Sequence, residues 1–206
     1  MSQILLLSFG LGALVEFVKE DPEKTRLVFI PTAGKTYKDP WWVDRDRNTL
    51  KQLGFKFSEF DIADKTAAEL SKALTNIDVV FVAGGNTFYL LDMMQRCGFE
   101  QRIKTLLDQS VQYVGGSAGA IVAGPDIEPI RSLDDPQDAP NLKTTKGLGL
   151  VDFVVIPHVN MNMREDKIDK VKKEFSSSFN LIPLTDEQAI VVDKFKNFKI
   201  VESKLD

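Results

Sequence analysis

The first half of the chain alternates short apolar runs with stretches whose apolar residues recur at helical spacing. Gln3 to Phe9 is almost continuously apolar and ends at Gly10, as expected for a strand that is buried on both faces of a sheet. Residues 11–18 then place leucine and valine at helical intervals, and the alternation continues to the apolar run at 78–83. Strands that are separated by helices pair in parallel with right-handed crossovers, so helices cover both faces. The sequence therefore predicts an α/β fold, a three-layer sandwich around a mostly parallel central sheet.

Length and composition narrow the class of protein further. The chain has 206 residues, of which 43% are hydrophobic, which predicts one domain spanning residues 1–206. A net charge of −4 gives no general attraction to phosphate backbones, so no nucleic-acid partner is expected. No apolar run approaches the roughly 20 residues that span a bilayer, so no membrane partner is expected either.

The chain has too few cysteine and histidine residues for a disulfide or a structural zinc site. Cys97 is the only cysteine, so it cannot form an intramolecular disulfide, and no signal peptide is recognised before the first strand. A cytoplasmic location is therefore expected. One cysteine and one histidine are too few for a structural zinc site, and we expect no metal and no cofactor.

The segment Gly115-Gly116-Ser117-Ala118-Gly119 matches the G-x-S-x-G pattern of a nucleophile elbow. It follows the apolar run 111–114 and precedes the small apolar residues 120–123, which is the strand, turn and helix context that an elbow requires. Glycine allows the sharp turn that lifts the serine hydroxyl above the sheet. Ser117 is therefore the candidate nucleophile.

A serine hydroxyl needs a neighbouring base to remove its proton during attack. His158 is the only histidine in the chain, and it follows the strand-like run 152–157. If imidazole activates Ser117, the base can only be His158. A carboxylate must orient the other ring nitrogen, and the residues leave three candidates open: Asp134, Asp135 and Glu187.

The developing negative charge of the transition state needs preformed hydrogen-bond donors. The N–H of Ala118, directly after the serine, is the first donor of an elbow. Gly85 is the best candidate for the second, because the paired glycines Gly84-Gly85 bring bare backbone amides close to a ligand. The alternative for these glycines is a phosphate-binding turn, although neither G-x-G-x-x-G nor G-x-x-x-x-G-K-[ST] occurs.

Taken together, these motifs resemble peptidase family S51, the aspartyl dipeptidases called dipeptidase E, with the cyanophycinases as more distant relatives. The resemblance runs over most of the chain and is carried by six segments: Ile4–Ser8, Phe29–Gly34, Gly84–Phe88, Gly115–Ala120, Pro157-His158 and Arg164-Glu165. It implies a serine peptidase on a fold like that of class I glutamine amidotransferases, acting on small peptides, with Asp-X dipeptides as candidate substrates.

The resemblance also implies roles for particular residues. Ser117 matches the nucleophile and His158 the base. Asp135 and Glu187 match two acids proposed for the third position, and Glu187 is favoured because it precedes a strand and has firmer support than a long loop. Arg164 resembles the arginine that grips the substrate's aspartyl carboxylate.

Gly85 and Ala118 match the oxyanion donors of the family. Asn86, within the Gly-Gly-Asn-Thr block, is a further candidate for binding substrate. The chain departs from the family pattern at Gly116, where dipeptidase E has a tryptophan before its serine. A smaller residue at this position opens the site.

Two other hypotheses remain. The first is another hydrolase on the glutamine amidotransferase-like scaffold, although the amidotransferases carry cysteine where this chain has Ser117. The second is a small-molecule binding protein that keeps the pocket without catalysis. Residues 125–147 are expected to form a long surface loop or a lid. The candidate partner is a small peptide substrate, and a homodimer is the candidate assembly.

Overall fold

The computed structural model describes residues 2–204, and its central element is a seven-stranded sheet with the order β3-β2-β4-β5-β1-β8-β9. The strands of this sheet are β1 (Ser2–Leu7), β2 (Leu27–Ile30), β3 (Phe57–Glu59), β4 (Val79–Val82), β5 (Gln112–Gly116), β8 (Gln188–Asp193) and β9 (Phe198–Glu202). Two further strands, β6 (Val154–Ile156) and β7 (Leu181–Pro183), form a separate parallel pair. The helices are α1 (Leu14–Val18), α2 (Trp41–Gln52), α3 (Ala67–Ala73), α4 (Thr87–Cys97), α5 (Phe99–Asp108), α6 (Ala118–Val122) and α7 (Glu165–Phe175).

The first five strands of the central sheet are parallel, and β8 and β9 extend it as an antiparallel hairpin on the open side of β1. Val79–Val82 is buried at every position, which explains why its sequence is continuously apolar rather than alternating. Because β1, β4 and β5 are parallel neighbours or near neighbours, their carboxyl ends meet at one edge of the sheet. Ligands bind at this edge in open α/β sheets.

Two hydrophobic clusters lie on opposite faces of the sheet. Along β1, Ile4 and Leu6 belong to the cluster that includes residues of α3, α4, α5 and α6. Leu5 and Leu7 belong to the cluster formed with α1 and α2. Successive side chains of a strand point to opposite faces, so this division confirms the three-layer α/β sandwich.

Two segments in the second half of the chain differ from the predictions. The apolar run before His158 is a strand only at Val154–Ile156, and it pairs with β7 rather than with the central sheet. The segment 125–147 is not wholly at the surface, because its Ile127 and Ile130 are fully buried in the core. These two isoleucines hold the segment against the core. The surface location was predicted because the segment is rich in acidic residues.

None of the helices within residues 2–204 has the length and apolar character needed to cross a membrane.

Candidate active site

Ser117 lies in the turn between β5 and α6 and has a strained backbone. Its φ and ψ are 47° and −105°, outside the regions that residues with a Cβ normally occupy. The N–H of Ser117 donates a 2.9 Å hydrogen bond to the carbonyl oxygen of Leu7, at the end of β1. The sheet therefore holds the turn in a conformation that presents the hydroxyl to the cavity above it.

The glycines of this turn are not equally required. A Cβ at Gly115 would lie 2.4 Å from the carbonyl oxygen of Gly119, and a Cβ at Gly119 would lie 2.3 Å from that of Val82. Both positions need glycine because the obstructing atoms belong to backbone. A Cβ at Gly116 would meet only the Phe81 ring, at 3.5 Å, which is ordinary van der Waals contact.

The structure brings His158 against Ser117, although the two residues follow strands of different sheets. Nε2 of His158 lies 3.0 Å from Oγ of Ser117. His158 has a positive φ of 63°, and its N–H donates a 2.9 Å hydrogen bond to the hydroxyl of Ser8. The ring edge also packs on Phe9, with 5.9 Å between ring centroids. These contacts fix both the backbone and the plane of the imidazole.

The carboxylate on the other side of the imidazole belongs to Asp186. Its Oδ1 lies 2.6 Å from Nδ1 of His158. The backbone around Asp186 is held on both sides, since its N–H donates to the side-chain oxygen of Asn160 and its carbonyl accepts from the N–H of Gly10. Ser117, His158 and Asp186 therefore form a continuous hydrogen-bonded chain.

The two acids favoured from the family resemblance lie elsewhere, so the expected third residue is corrected to Asp186. The Glu187 side chain is 55% exposed and pairs with Lys204 at 3.4 Å. Asp135 caps the short 3₁₀ turn that follows it, where its Oδ1 accepts from the N–H of Gln137.

Asp186 and Glu187 are the two central residues of a turn that directly precedes β8. A 3.0 Å hydrogen bond from the N–H of Gln188 to the carbonyl oxygen of Thr185 closes this turn. The side chain of Asp186 is bonded to His158, whereas that of Glu187 pairs with Lys204. The sequence of the turn does not indicate which of the two acids reaches the site.

The two candidate oxyanion donors lie on either side of Ser117. Ala118 is the first residue of α6, so its N–H has no acceptor within the helix. Gly85 lines the cavity with a φ of 148°, and a Cβ there would lie 2.1 Å from the carbonyl oxygen of Ala33. Among residues 2–204, the Gly85 N–H has no protein acceptor. Of the two residues, Gly85 lies at the cavity wall, whereas Ala118 is fully buried next to Ser117.

Asn86 does not occupy the position expected of a substrate-binding residue. It is 1% exposed and caps α4, with its side-chain oxygen accepting from the N–H of Tyr89. Its amide group donates to the carbonyl of Asp135 and to the carboxylate of Asp138. The substrate-binding prediction for Asn86 is corrected: its side chain fastens the 125–147 segment to α4.

A cavity of about 440 Å³ opens above Ser117. Its polar wall includes Arg164 and Asp134, and the Arg45–Asp46 ion pair lies further along. Its apolar wall carries five aromatic residues whose place at the site was not predicted: Phe9, Tyr37, Trp41, Trp42 and Phe81. Trp42 also donates to the carbonyl of Gly84, which ties this wall to the glycine pair.

Arg164 stands at the cavity without an ion-pair partner among residues 2–204. Burial lowers the pKa of His158 below its ordinary value of 6.5, and the positive charge of Arg164 lowers it further. The hydrogen bond and the negative charge of Asp186 oppose both effects. His158 is therefore neutral at pH 7, which leaves Nε2 free to accept a proton.

The described residues contain no group of three or more His, Cys, Asp and Glu side chains that is arranged to hold a metal ion. Cys97 lies in α4 away from the cavity, and burial raises the pKa of its thiol to about 11. A neutral, buried thiol is a poor nucleophile.

A hydroxyl, an imidazole and a carboxylate connected in this order are the parts of a serine hydrolase site, here on an α/β sandwich. The sequence profile of peptidase family S51 matches residues 9–200. An uncharacterized peptidase of Pasteurella multocida (strain Pm70) is 34% identical over 167 residues, or 81% of each chain. An uncharacterized peptidase of Listeria monocytogenes serovar 1/2a is 32% identical over 166 residues, also 81% of each chain.

The solved structures agree with the sequence comparisons. A crystal structure of a Listeria monocytogenes EGD-e protein, assigned provisionally to peptidase E, superposes with a TM-score of 0.89. It is 28% identical and covers 98% of both chains. The chain belongs to peptidase family S51, and it is a peptidase.

Proposed function

We propose that the protein hydrolyses small peptides through an acyl-enzyme on Ser117. The hydrogen-bonded chain from Ser117 through His158 to Asp186 is the observation that carries this proposal. Oγ of Ser117 attacks the carbonyl carbon of the peptide bond while its proton passes to Nε2 of His158. The N–H groups of Gly85 and Ala118 receive the oxyanion of the tetrahedral intermediate.

The second half of the reaction uses the same groups. The protonated imidazole gives its proton to the leaving nitrogen, the C–N bond breaks and the amine departs, leaving the acyl group on Ser117. Water then attacks the ester while His158 again takes its proton. As the C–O bond to Ser117 breaks, the imidazolium returns that proton to Oγ, and the carboxylic acid is released. Asp186 holds the ring in the tautomer with the proton on Nδ1 and stabilises the imidazolium that forms in both halves.

The substrate class follows from the charge at the cavity. The Arg164 guanidinium is half-buried and has no carboxylate partner within residues 2–204. A planar guanidinium binds a carboxylate with two parallel hydrogen bonds. Peptides with an amino-terminal Asp supply this carboxylate on the residue that is acylated, so Asp-X dipeptides are the proposed substrates.

Covalent labelling with a fluorophosphonate tests the mechanism, because only an activated serine reacts quickly. We expect stoichiometric modification of Ser117, identified by mass spectrometry, and loss of both labelling and hydrolysis in Ser117→Ala. The exposed Ser58→Ala in β3 is the matched control and keeps both. A binding protein with the same cavity would leave Ser117 unlabelled, and that result would overturn the proposal.

A further inference from the structure

Asp134 is a cavity carboxylate that has no salt-bridge partner among the described side chains. It lies in the segment between α6 and β6 and lines the cavity. Its Oδ2 accepts two hydrogen bonds from Thr87, from the N–H at 3.0 Å and from the hydroxyl at 2.5 Å. Since Thr87 is the first residue of α4, these bonds hold the carboxylate at the amino end of an eleven-residue helix. Thr87 therefore fixes one carboxylate oxygen.

The other acids of the cavity each have a cationic or imidazole partner, and Asp134 has none. Asp46 pairs with Arg45 at 2.5 Å, and Asp186 pairs with His158 at 2.6 Å. Among the side chains that the structure describes, no Lys, Arg or His makes an ion pair with Asp134, and none donates a hydrogen bond to its Oδ1. Burying a carboxylate without a cationic partner is unfavourable, so such groups are typical of sites that bind a cation.

Arg164 and Asp134 are both at the cavity, yet they do not pair with each other. Together they offer one unpaired positive and one unpaired negative charge to the same ligand. An amino-terminal aspartyl residue carries the complementary set, because its side chain is a carboxylate and its α-amino group is an ammonium with three donors. Burial raises the pKa of the Asp134 carboxyl in the free protein, and a bound ammonium would reverse that cost.

We propose that Asp134 binds the free α-amino group of the substrate and thereby confines cleavage to the amino-terminal peptide bond. This inference rests on the proposed function, since it assigns a role within the same site. Thr87 holds Oδ2 and leaves Oδ1 to receive the ammonium. The acylated residue is then fixed at two points, its side chain on Arg164 and its amino group on Asp134.

Removing the amino group from the substrate tests the inference without adding bulk. Succinyl-leucine is Asp-Leu with the ammonium replaced by hydrogen, and it keeps the carboxylate and the scissile bond. We expect kcat/KM for Asp-Leu to exceed that for succinyl-leucine by about 100-fold or more, the value of a charge-assisted pair in a desolvated site. Asp134→Asn should reduce this ratio at least tenfold, chiefly through a higher KM for Asp-Leu.

The matched control is Asp135→Asn. It removes the same charge from the adjacent residue, whose side chain is exposed and turned to Gln137, and it should leave the ratio as in the wild type. If Asp134→Asn does not fold, the wild-type protein still gives an answer. The α-ammonium of a dipeptide loses its proton near pH 8, so kcat/KM for Asp-Leu should fall above that pH while succinyl-leucine shows no such fall. The protein's own ionisable groups are common to both substrates and cancel in this comparison.

The outcomes separate this inference from the function on which it rests. Fluorophosphonate labelling of Ser117 together with equal rates on the two substrates would overturn the role of Asp134 and leave the peptidase mechanism standing. An equal reduction of the ratio by Asp134→Asn and Asp135→Asn would also overturn it, because the effect would then be general electrostatics. Absence of both labelling and hydrolysis would instead refute the proposed function.

Discussion

The hydroxyl of Ser8 accepts a 2.9 Å hydrogen bond from the backbone N–H of His158, across 150 positions of the sequence. Ser8 is fully buried, directly after the first strand of the central sheet, whereas His158 follows a strand of the two-stranded sheet. The bond therefore connects the two sheets at the site. It also gives a protein acceptor to a residue whose positive φ places its N–H outside regular secondary structure.

Replacing Ser8 with alanine should impair the site through the position of His158. The His158 N–H would lose its acceptor while remaining buried, which typically costs about 1–3 kcal/mol of stability. A shift of the imidazole by a fraction of an ångström should slow fluorophosphonate labelling of Ser117 by about 10- to 100-fold. Labelling rate and thermal unfolding measure the two effects, and Ser58→Ala serves as the exposed control. An unchanged labelling rate would show that Ser8 does not position His158.

The identity of the orienting acid is tested by substituting two adjacent residues. Asp186→Asn keeps the shape but presents an amide to Nδ1 of His158, and loss of the correct tautomer can reduce kcat by about 10⁴. Glu187→Gln removes only a solvent-exposed ion pair with Lys204 and should change kcat by less than about twofold. Steady-state hydrolysis of Asp-Leu measures both. The opposite order would assign the role to Glu187.

The lowered pKa of His158 fixes the acidic limb of the pH profile. The neutral imidazole is the base, so kcat/KM rises with pH as His158 loses its proton, with a midpoint below the ordinary value of 6.5. Arg164→Ala removes a positive charge that lowers this pKa, so the midpoint should move to higher pH. Labelling by an uncharged fluorophosphonate at a series of pH values avoids any need for Arg164 in binding.

Lys167→Ala is the control for that experiment, because it removes an exposed cation from the same helical region. Its midpoint should remain that of the wild type. A labelling rate that does not vary with pH between about 5 and 8 would argue against His158 as the base.

The two glycines near Ser117 should respond differently to alanine. A Cβ at Gly119 would lie 2.3 Å from the backbone oxygen of Val82, so Gly119→Ala should cost at least about 2 kcal/mol of stability and most of the activity. Gly116→Ala adds only an ordinary contact with Phe81 and should stay within about 1 kcal/mol of the wild type. Denaturant unfolding and labelling of Ser117 provide the measurements. Equal losses would mean that the turn cannot accept any side chain before the serine.

The preference for an acidic residue depends on Arg164. We expect Asp-X dipeptides to be cleaved faster than Asn-X dipeptides by about 100-fold or more, because an amide cannot form the charge-assisted pair with the guanidinium. Arg164→Ala should abolish the difference by reducing the rate on Asp-X alone. Equal rates in the wild-type protein would instead show that Arg164 only begins the helix that follows.

The apolar pattern was sufficient to predict the first half of the fold, where strands and helices alternate and each strand is buried on both faces. The pattern was insufficient at Val154–Ile156, because a run of three buried residues does not reveal which sheet it joins. The approach of His158 to Ser117 could be predicted because the chain has one histidine and both residues follow strands. Asp186 could not be chosen over Glu187, because both lie in one turn before β8 and only the tertiary fold decides which side chain reaches His158.

The aromatic wall of the cavity and the lack of an ion-pair partner for Asp134 among the described residues could not be predicted from the sequence either. Trp41 and Trp42 begin a helix 75 or more positions before Ser117, and only the tertiary fold places them beside it. In the sequence, Asp134 is one of several acidic residues in a loop. Only the structure shows that Asp46 and Asp186 have ion-pair partners at the cavity, whereas Asp134 has none among the described side chains.

The backbone hydrogen bonds around the site determine when the site can form during synthesis. The N–H of Ser117 donates to the carbonyl of Leu7, and the N–H of Gly10 donates to the carbonyl of Asp186. In each bond one partner is synthesised more than 100 residues before the other. Until residue 186 has emerged and β8 has docked beside β1, the imidazole has no carboxylate to orient it. We therefore expect the nascent chain to have no peptidase activity until β8 has paired with β1 and Asp186 has reached His158.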